Sequence, residues 1–135
     1  MALPESIQLE IVTPERQLFS GAVSEVTVPS NQGYLGILPG HAPLLAGLGV
    51  GNITYVVDNI KTPLFCSWGF VEVLPERVVI LAQTAEPSSD IDINRAEQAK
   101  KRAEQRLASK DPNLDYSRAQ LALLRAIARL QAGKQ

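Results

Sequence analysis

The chain has 135 residues, 45% of them apolar and 20% charged, with a formal charge of −1. That length holds one sizeable core, or a core with a small appendage, and the composition is that of a folding chain rather than a disordered one. The near-neutral balance gives no reason to expect nucleic acid as a partner, and the single cysteine, Cys66, excludes an internal disulfide or a cysteine metal cluster.

In chain order, Met1-Ala-Leu-Pro-Glu5 has neither a basic region nor an apolar run, so no signal peptide is expected. No stretch reaches the roughly 18 uninterrupted apolar residues of a transmembrane helix, so membrane association is expected only through a partner. From Ile7 to about Thr84 the sequence runs in short β-branched stretches separated by Gly, Pro and Asn. Ile7 to Thr13 alternates apolar and polar residues up to Pro14, and Val23 to Val28 stops at Pro29-Ser-Asn-Gln-Gly33. Further strands are expected at 34–38, 52–57, 64–68, 70–74 and 78–84, with reversals at Val57-Asp-Asn-Ile60 and Pro75-Glu-Arg77. Many short strands without intervening helices imply antiparallel sheets closed as a sandwich or flattened barrel.

The period changes after Glu86-Pro-Ser-Ser-Asp90. Ile93, Ala96, Ala99, Ala103 and Leu107 recur at steps of three and four, the spacing of one helical face. Asp92 or Asp90 supplies the N-cap, and Pro112 stops the helix within Ser109-Lys-Asp-Pro-Asn113. A second helix opens at Asp115 and runs to Gly133; so short a linker predicts an antiparallel hairpin. The expected fold is therefore α+β: a β-sandwich domain at 1–86 followed by a two-helix hairpin at 87–135. Its seam, Ala96/Ala99/Ala103 against Ala119/Ala122/Ala126, buries little area and should open easily. Charge divides at the same place, with three basic against seven acidic residues in 1–85 and ten basic against seven acidic in 86–135.

Chemistry-bearing motifs are few. His41 is the only histidine, which excludes a metal site built on two histidines and leaves a catalytic triad dependent on one loop ring. There is no phosphate-binding Gly-x-x-x-x-Gly-Lys-Ser/Thr loop, and the glycines at 33–36 and 47–51 lack the following helix of a phosphate cradle, so they are read as turns and close backbone approaches. Cys66 is expected as a small buried strand residue. Arginines are the exception: Arg95, Arg102 and Arg106 share one edge of the first helix, and Arg118, Arg125 and Arg129 one edge of the second. A solvated face and an anionic partner both remain open for them.

The segment Gly33-Tyr-Leu-Gly-Ile-Leu-Pro-Gly-His-Ala-Pro-Leu44, with Pro29 before it, resembles the signature loop of the epsilon subunits of F-type ATP synthases. Leu9-Glu-Ile-Val-Thr-Pro14, Gly69-Phe-Val-Glu-Val73 and Ile91-Asp-Ile-Asn-Arg-Ala96 extend the likeness over nearly the whole chain. The resemblance implies a non-catalytic central-stalk subunit with no required cofactor. Its sandwich would bind the gamma subunit and the c-subunit ring, and its hairpin would restrain hydrolysis by reaching the alpha and beta subunits transiently through Arg118, Arg125 and Arg129. It also implies a peripheral membrane protein on the cytoplasmic face of the bacterial inner membrane, attached only via the complex. Some bacterial members bind ATP as a regulatory ligand through Ile/Leu-Asp-x-x-Arg-Ala, which Ile91, Asp92, Arg95 and Ala96 match. By the same likeness Glu86, Arg102, Arg125 and Arg129 join that candidate ATP site. Two other readings stand beside this one: a free-standing ATP-sensing module whose hairpin folds on nucleotide, and a sandwich enzyme using His41.

Overall fold

The computed structural model describes residues 3–133, so Met1 and Ala2 of the N-terminal stretch lie outside the described residues. Seven strands come first: β1 (Ile7–Val12), β2 (Gln17–Val23), β3 (Glu25–Ser30), β4 (Gly33–Ile37), β5 (Leu44–Val57), β6 (Ile60–Val73) and β7 (Arg77–Pro87). A 3-10 turn at Ser88–Asp90 leads into α1 (Ile93–Ala108) and α2 (Tyr116–Gly133). The order of sandwich then hairpin agrees with the sequence expectation.

Hydrogen bonding links the strands in the order β2-β1-β7-β6-β5-β3-β4. The sheet folds over on itself, so that Val26, Val28 and Ile37 from one end share a single core with Ile7, Leu9, Ile11, Val71 and Ile80 from the other. Phe19 of β2 meets Tyr55 of β5 with ring centroids 4.2 Å apart, a contact between strands that are not sheet neighbours and that closes the sandwich.

Several details differ from the sequence expectation. β1 pairs with β7 in parallel, Leu9 opposite Val78 and Ile11 opposite Ile80, within an otherwise antiparallel set. Residues 17–23 form a separate strand that ends at Val23, because the chain breaks at Ser24 before β3. The stretches expected at 64–68 and 70–74 are one continuous strand, as is 44–57, glycines included. Gly47 and Gly51 mark no turn but do admit the expected close approach: a Cβ on Gly51 would lie 2.5 Å from Tyr34 Oη and 2.9 Å from Pro29 Cβ.

A reversal of facing runs across the long strands. On β6, Leu64 and Cys66 point into the sandwich, whereas beyond Trp68 and Gly69 it is Val71 and Val73 that do so. Trp68 (φ 59°) and Gly69 (φ 136°) take two successive positive-φ conformations and rephase the strand by one residue. Ahead of that point Phe65 faces the opposite side. There it is fully buried with Ile91, Ala128 and Ala132, with Val50 and Ile93 packed around them. This small second core is the seat of the hairpin.

Candidate functional site

The two helices start and stop where short polar side chains satisfy their free ends. Asp92 Oδ1 accepts from Arg95 N at 3.1 Å to cap α1, and Asp115 Oδ1 accepts from Arg118 N at 3.1 Å to open α2. Ala96, Ala103, Ala119 and Ala126 are buried in the seam, with Ala99 and Ala122 only half-buried. Methyl-sized side chains let the helices approach closely and leave a floor with no bulk above it.

Over that floor lies a cleft of about 400 Å³. Glu86, Asp90 and Asp92 line it from the end of β7, the 3-10 turn and the α1 cap; Arg95 and Arg102 line it from α1, Arg125 and Arg129 from α2. Ala96, Ala99, Ala122 and Ala126 complete the lining. Seven of the eight residues that the sequence assigned to an ATP site thus share one cleft: Glu86, Asp92, Arg95, Ala96, Arg102, Arg125 and Arg129. Ile91 does not. Its side chain is 9% exposed and packs on Phe65, Ala128 and Ala132, so it anchors the loop instead of lining the cleft. Arg106 and Arg118 lie outside the cleft lining, are exposed, and sit nearer the loop that joins the helices.

The charged groups of the cleft divide into two kinds. Arg129 is already engaged: its Nε and Nη2 both donate to Glu86 Oε1, at 3.1 and 2.9 Å, and its guanidinium carbon stands 4.4 Å from the centroid of the Phe65 ring. Asp90 Oδ2 accepts from Arg16 Nη2 at 2.6 Å, which ties the 3-10 turn to the β1–β2 connection. Among the described residues, Arg95, Arg102 and Arg125 have no ion pair of this kind. Three guanidinium groups from two antiparallel helices therefore converge over an apolar floor, an arrangement suited to a polyanion such as a nucleotide phosphate chain.

Sequence reasoning missed Phe65 and Asn52, and it offered Asp90 only as an alternative cap of α1, a role that Asp92 fills. Asn52 Nδ2 donates to the Ala128 carbonyl at 3.1 Å, so β5 holds the backbone of α2 directly. The unbroken apolar run Pro63-Leu-Phe-Cys66 carried a signal for Phe65: a strand apolar on both faces needs a cover on both. His41 is half-buried, and its Nδ1 donates to the Ala42 carbonyl at 2.7 Å. Among the described residues no hydroxyl, thiol or carboxylate is hydrogen-bonded to the ring. Leu38, Leu45, Phe70 and Leu81 are exposed apolar side chains of the sandwich, each more than half accessible. No helix of the described residues is long and apolar enough to cross a membrane.

Comparison with known proteins covers both halves. Residues 6–88 match the family described as ATP synthase, Delta/Epsilon chain, beta-sandwich domain, and residues 89–134 match its long alpha-helix domain. The ATP synthase epsilon chain of Herpetosiphon aurantiacus is 50% identical over 128 residues, covering 95% of this chain and 94% of the relative. That of Moorella thermoacetica is 47% identical, covering 94% and 96%. Among solved structures, a chain of the Euglena gracilis mitochondrial ATP synthase (OSCP/F1/c-ring) superposes with a TM-score of 0.83 at 23% identity, covering all of this chain and 85% of that one. A chain of the Tetrahymena thermophila enzyme's central stalk and c-ring gives a TM-score of 0.58 at 17% identity. At these identities the two structures speak to the fold alone.

Proposed function

The chain belongs to the ATP synthase delta/epsilon family, as an epsilon chain, and from that premise we propose that it is a non-catalytic subunit of the central stalk that couples rotor to catalytic head and restrains ATP hydrolysis through its hairpin. The sandwich binds the gamma subunit and the c ring. The hairpin, when released, reaches the alpha and beta subunits. The protein then resides on the cytoplasmic face of a bacterial inner membrane, attached through the complex.

The observation that supports this reading most is the division of the molecule. The sandwich has a complete core of its own that includes no hairpin residue, and it keeps exposed apolar side chains for partners. The hairpin adds a separate layer on a four-residue core. A rotor subunit with a movable arm needs that division. The test is recovery of a tagged chain from its native membranes. The expected result is a membrane ATPase with gamma and c subunits, while the isolated chain itself turns over no ATP. Recovery of the chain alone would favour a free-standing module.

ATP as a regulatory ligand of the cleft is part of the same proposal. Arg95, Arg102 and Arg125 take the phosphates, and Asp92 and Ala96 fix the geometry of the α1 start. Because both helices contribute arginines, ligand favours the folded hairpin by its differential affinity for that state.

A further inference from the structure

The hairpin touches the sandwich through very little apolar surface. Of the four buried residues in the second core, Ala128 and Ala132 each offer α2 a single methyl group, and Ile91 belongs to the linker. Ile93 of α1 packs beside them against this core, and polar contacts complete the seat. Arg129 donates twice to Glu86 at the end of β7 and lies over Phe65 of β6, and Asn52 of β5 donates to the Ala128 carbonyl. The side chains of Arg129 and Glu86 are 32% and 27% accessible, so the pair is more sheltered than the Arg16–Asp90 pair at 55% and 44%. Asn52 Oδ1 is buried without a hydrogen-bond partner among the described residues, a cost carried by the folded chain.

We propose that Arg129, seated between Glu86 and Phe65 and flanked by the Asn52–Ala128 bond, is the latch that holds the hairpin on the sandwich when no nucleotide is present. Arg129 acts as a positioning residue here. Its charge is spent on Glu86, and its planar face on the ring, so its first task is to fix the last turns of α2 to β6 and β7. Releasing one guanidinium removes two hydrogen bonds and the ring contact together, and leaves the Asn52–Ala128 bond, the alanine methyls, Ile91 and Ile93 to hold the arm on the sandwich. That is how a small local change frees a whole arm. Arg125, one turn earlier on α2, lines the same cleft and, among the described residues, makes no hydrogen bond or ion pair to the sandwich, so it is the comparison for Arg129.

Hydrogen exchange of the full-length chain without nucleotide tests the latch. Arg129→Gln should raise exchange of the amides of 120–133 at least tenfold, while amides of β1 and β7 keep wild-type protection. Arg125→Gln should change the same amides less than twofold. Phe65→Leu keeps the apolar plug without the ring and should give a smaller rise, and adding Glu86→Gln to Arg129→Gln should produce no further rise. The proposal is overturned if Arg129→Gln leaves α2 within twofold of wild type, or if Arg125→Gln loosens it equally. ATP binding, measured separately by calorimetry on the same proteins, can fail without affecting this outcome.

Discussion

Cys66 lies fully buried in the sandwich core on β6, where burial pushes its thiol up to about 12 from an ordinary 9.0. In the unfolded chain the thiol ionises near its ordinary value. The folded state holds the proton longer, so this group's contribution is fully present below about pH 9 and is lost as pH rises towards 12. Tyr55, also raised by burial and only partly offset by its bond to Thr62, acts in the same direction. The urea midpoint should therefore fall between pH 8 and pH 10.5, and Cys66→Ala should flatten that fall. The native thiol should also resist alkylation at pH 8 until the sandwich unfolds. Gly69 makes a different demand. Its φ of 136° and the Leu81 carbonyl beside its missing Cβ leave no room for a side chain. Gly69→Ala should cost on the order of 2–4 kcal/mol, read as a lower urea midpoint at unchanged slope. The burial of Cys66 was legible in the sequence, since a lone cysteine in a β-branched run has few other places to go. The special backbone at Gly69 was not: a glycine between apolar runs signals a break or a kink equally well, and here it rephases a strand that continues.

Among the elements, the hairpin was the more legible half. Its alanines at steps of three and four, Asp92 and Asp115 at the helix starts, and Pro112 in the connection are all local signals, and the observed helices begin and end beside them. The strands were harder because their pairing is not local. β2 alternates weakly, being a sheet edge with most residues at least partly exposed, and the glycines at 47, 49 and 51 hide a continuous β5 behind the composition of a turn. The parallel pairing of β1 with β7 brings residues some 70 positions apart side by side and leaves no mark on either segment. The candidate site divides the same way. Its arginines were visible as helical edges, whereas the Glu86–Arg129 and Arg16–Asp90 pairs depend on how the hairpin is seated. If α1 and α2 together build the nucleotide cleft, Arg95→Ala and Arg125→Ala should each weaken ATP binding by about tenfold or more, one charge-assisted contact being worth roughly 1.5–3 kcal/mol. Calorimetry on the full chain checks this, and wild-type affinity in both variants would remove the site.

At the scale of the whole molecule the question is which part would carry the proposed restraint of hydrolysis. The sandwich core contains no residue beyond Ala85, so a chain ending after Ser89 keeps that core whole and loses the cover over Phe65 and Val50 together with the polar contacts that Arg16, Asn52 and Glu86 make to the missing segment. Such a chain should fold and still join the stalk. What it should lose is the arm. In the folded hairpin Arg118 is exposed, Arg125 half-buried and Arg129 engaged with Glu86, so an extended arm presents to a partner two cations that the docked state partly hides. Contacts of exposed cations with acidic surfaces are weakened by salt, which screens charges farther apart than a Debye length, about 8 Å at physiological ionic strength. ATP hydrolysis by the assembled complex should therefore rise when the full-length chain is replaced by the truncated one. A chain carrying Arg118→Ala, Arg125→Ala and Arg129→Ala discriminates further. If charge carries the restraint, this chain should resemble the truncated one, and the wild-type restraint should weaken between low and moderate ionic strength. If the arm acts as a steric wedge, the triple variant should restrain hydrolysis as well as wild type, or better, because loss of Arg129 unlatches the hairpin and raises the population of the extended state. Equal restraint by truncated and full-length chains would take the hairpin out of the regulatory role altogether and leave the sandwich as the functional body of the subunit.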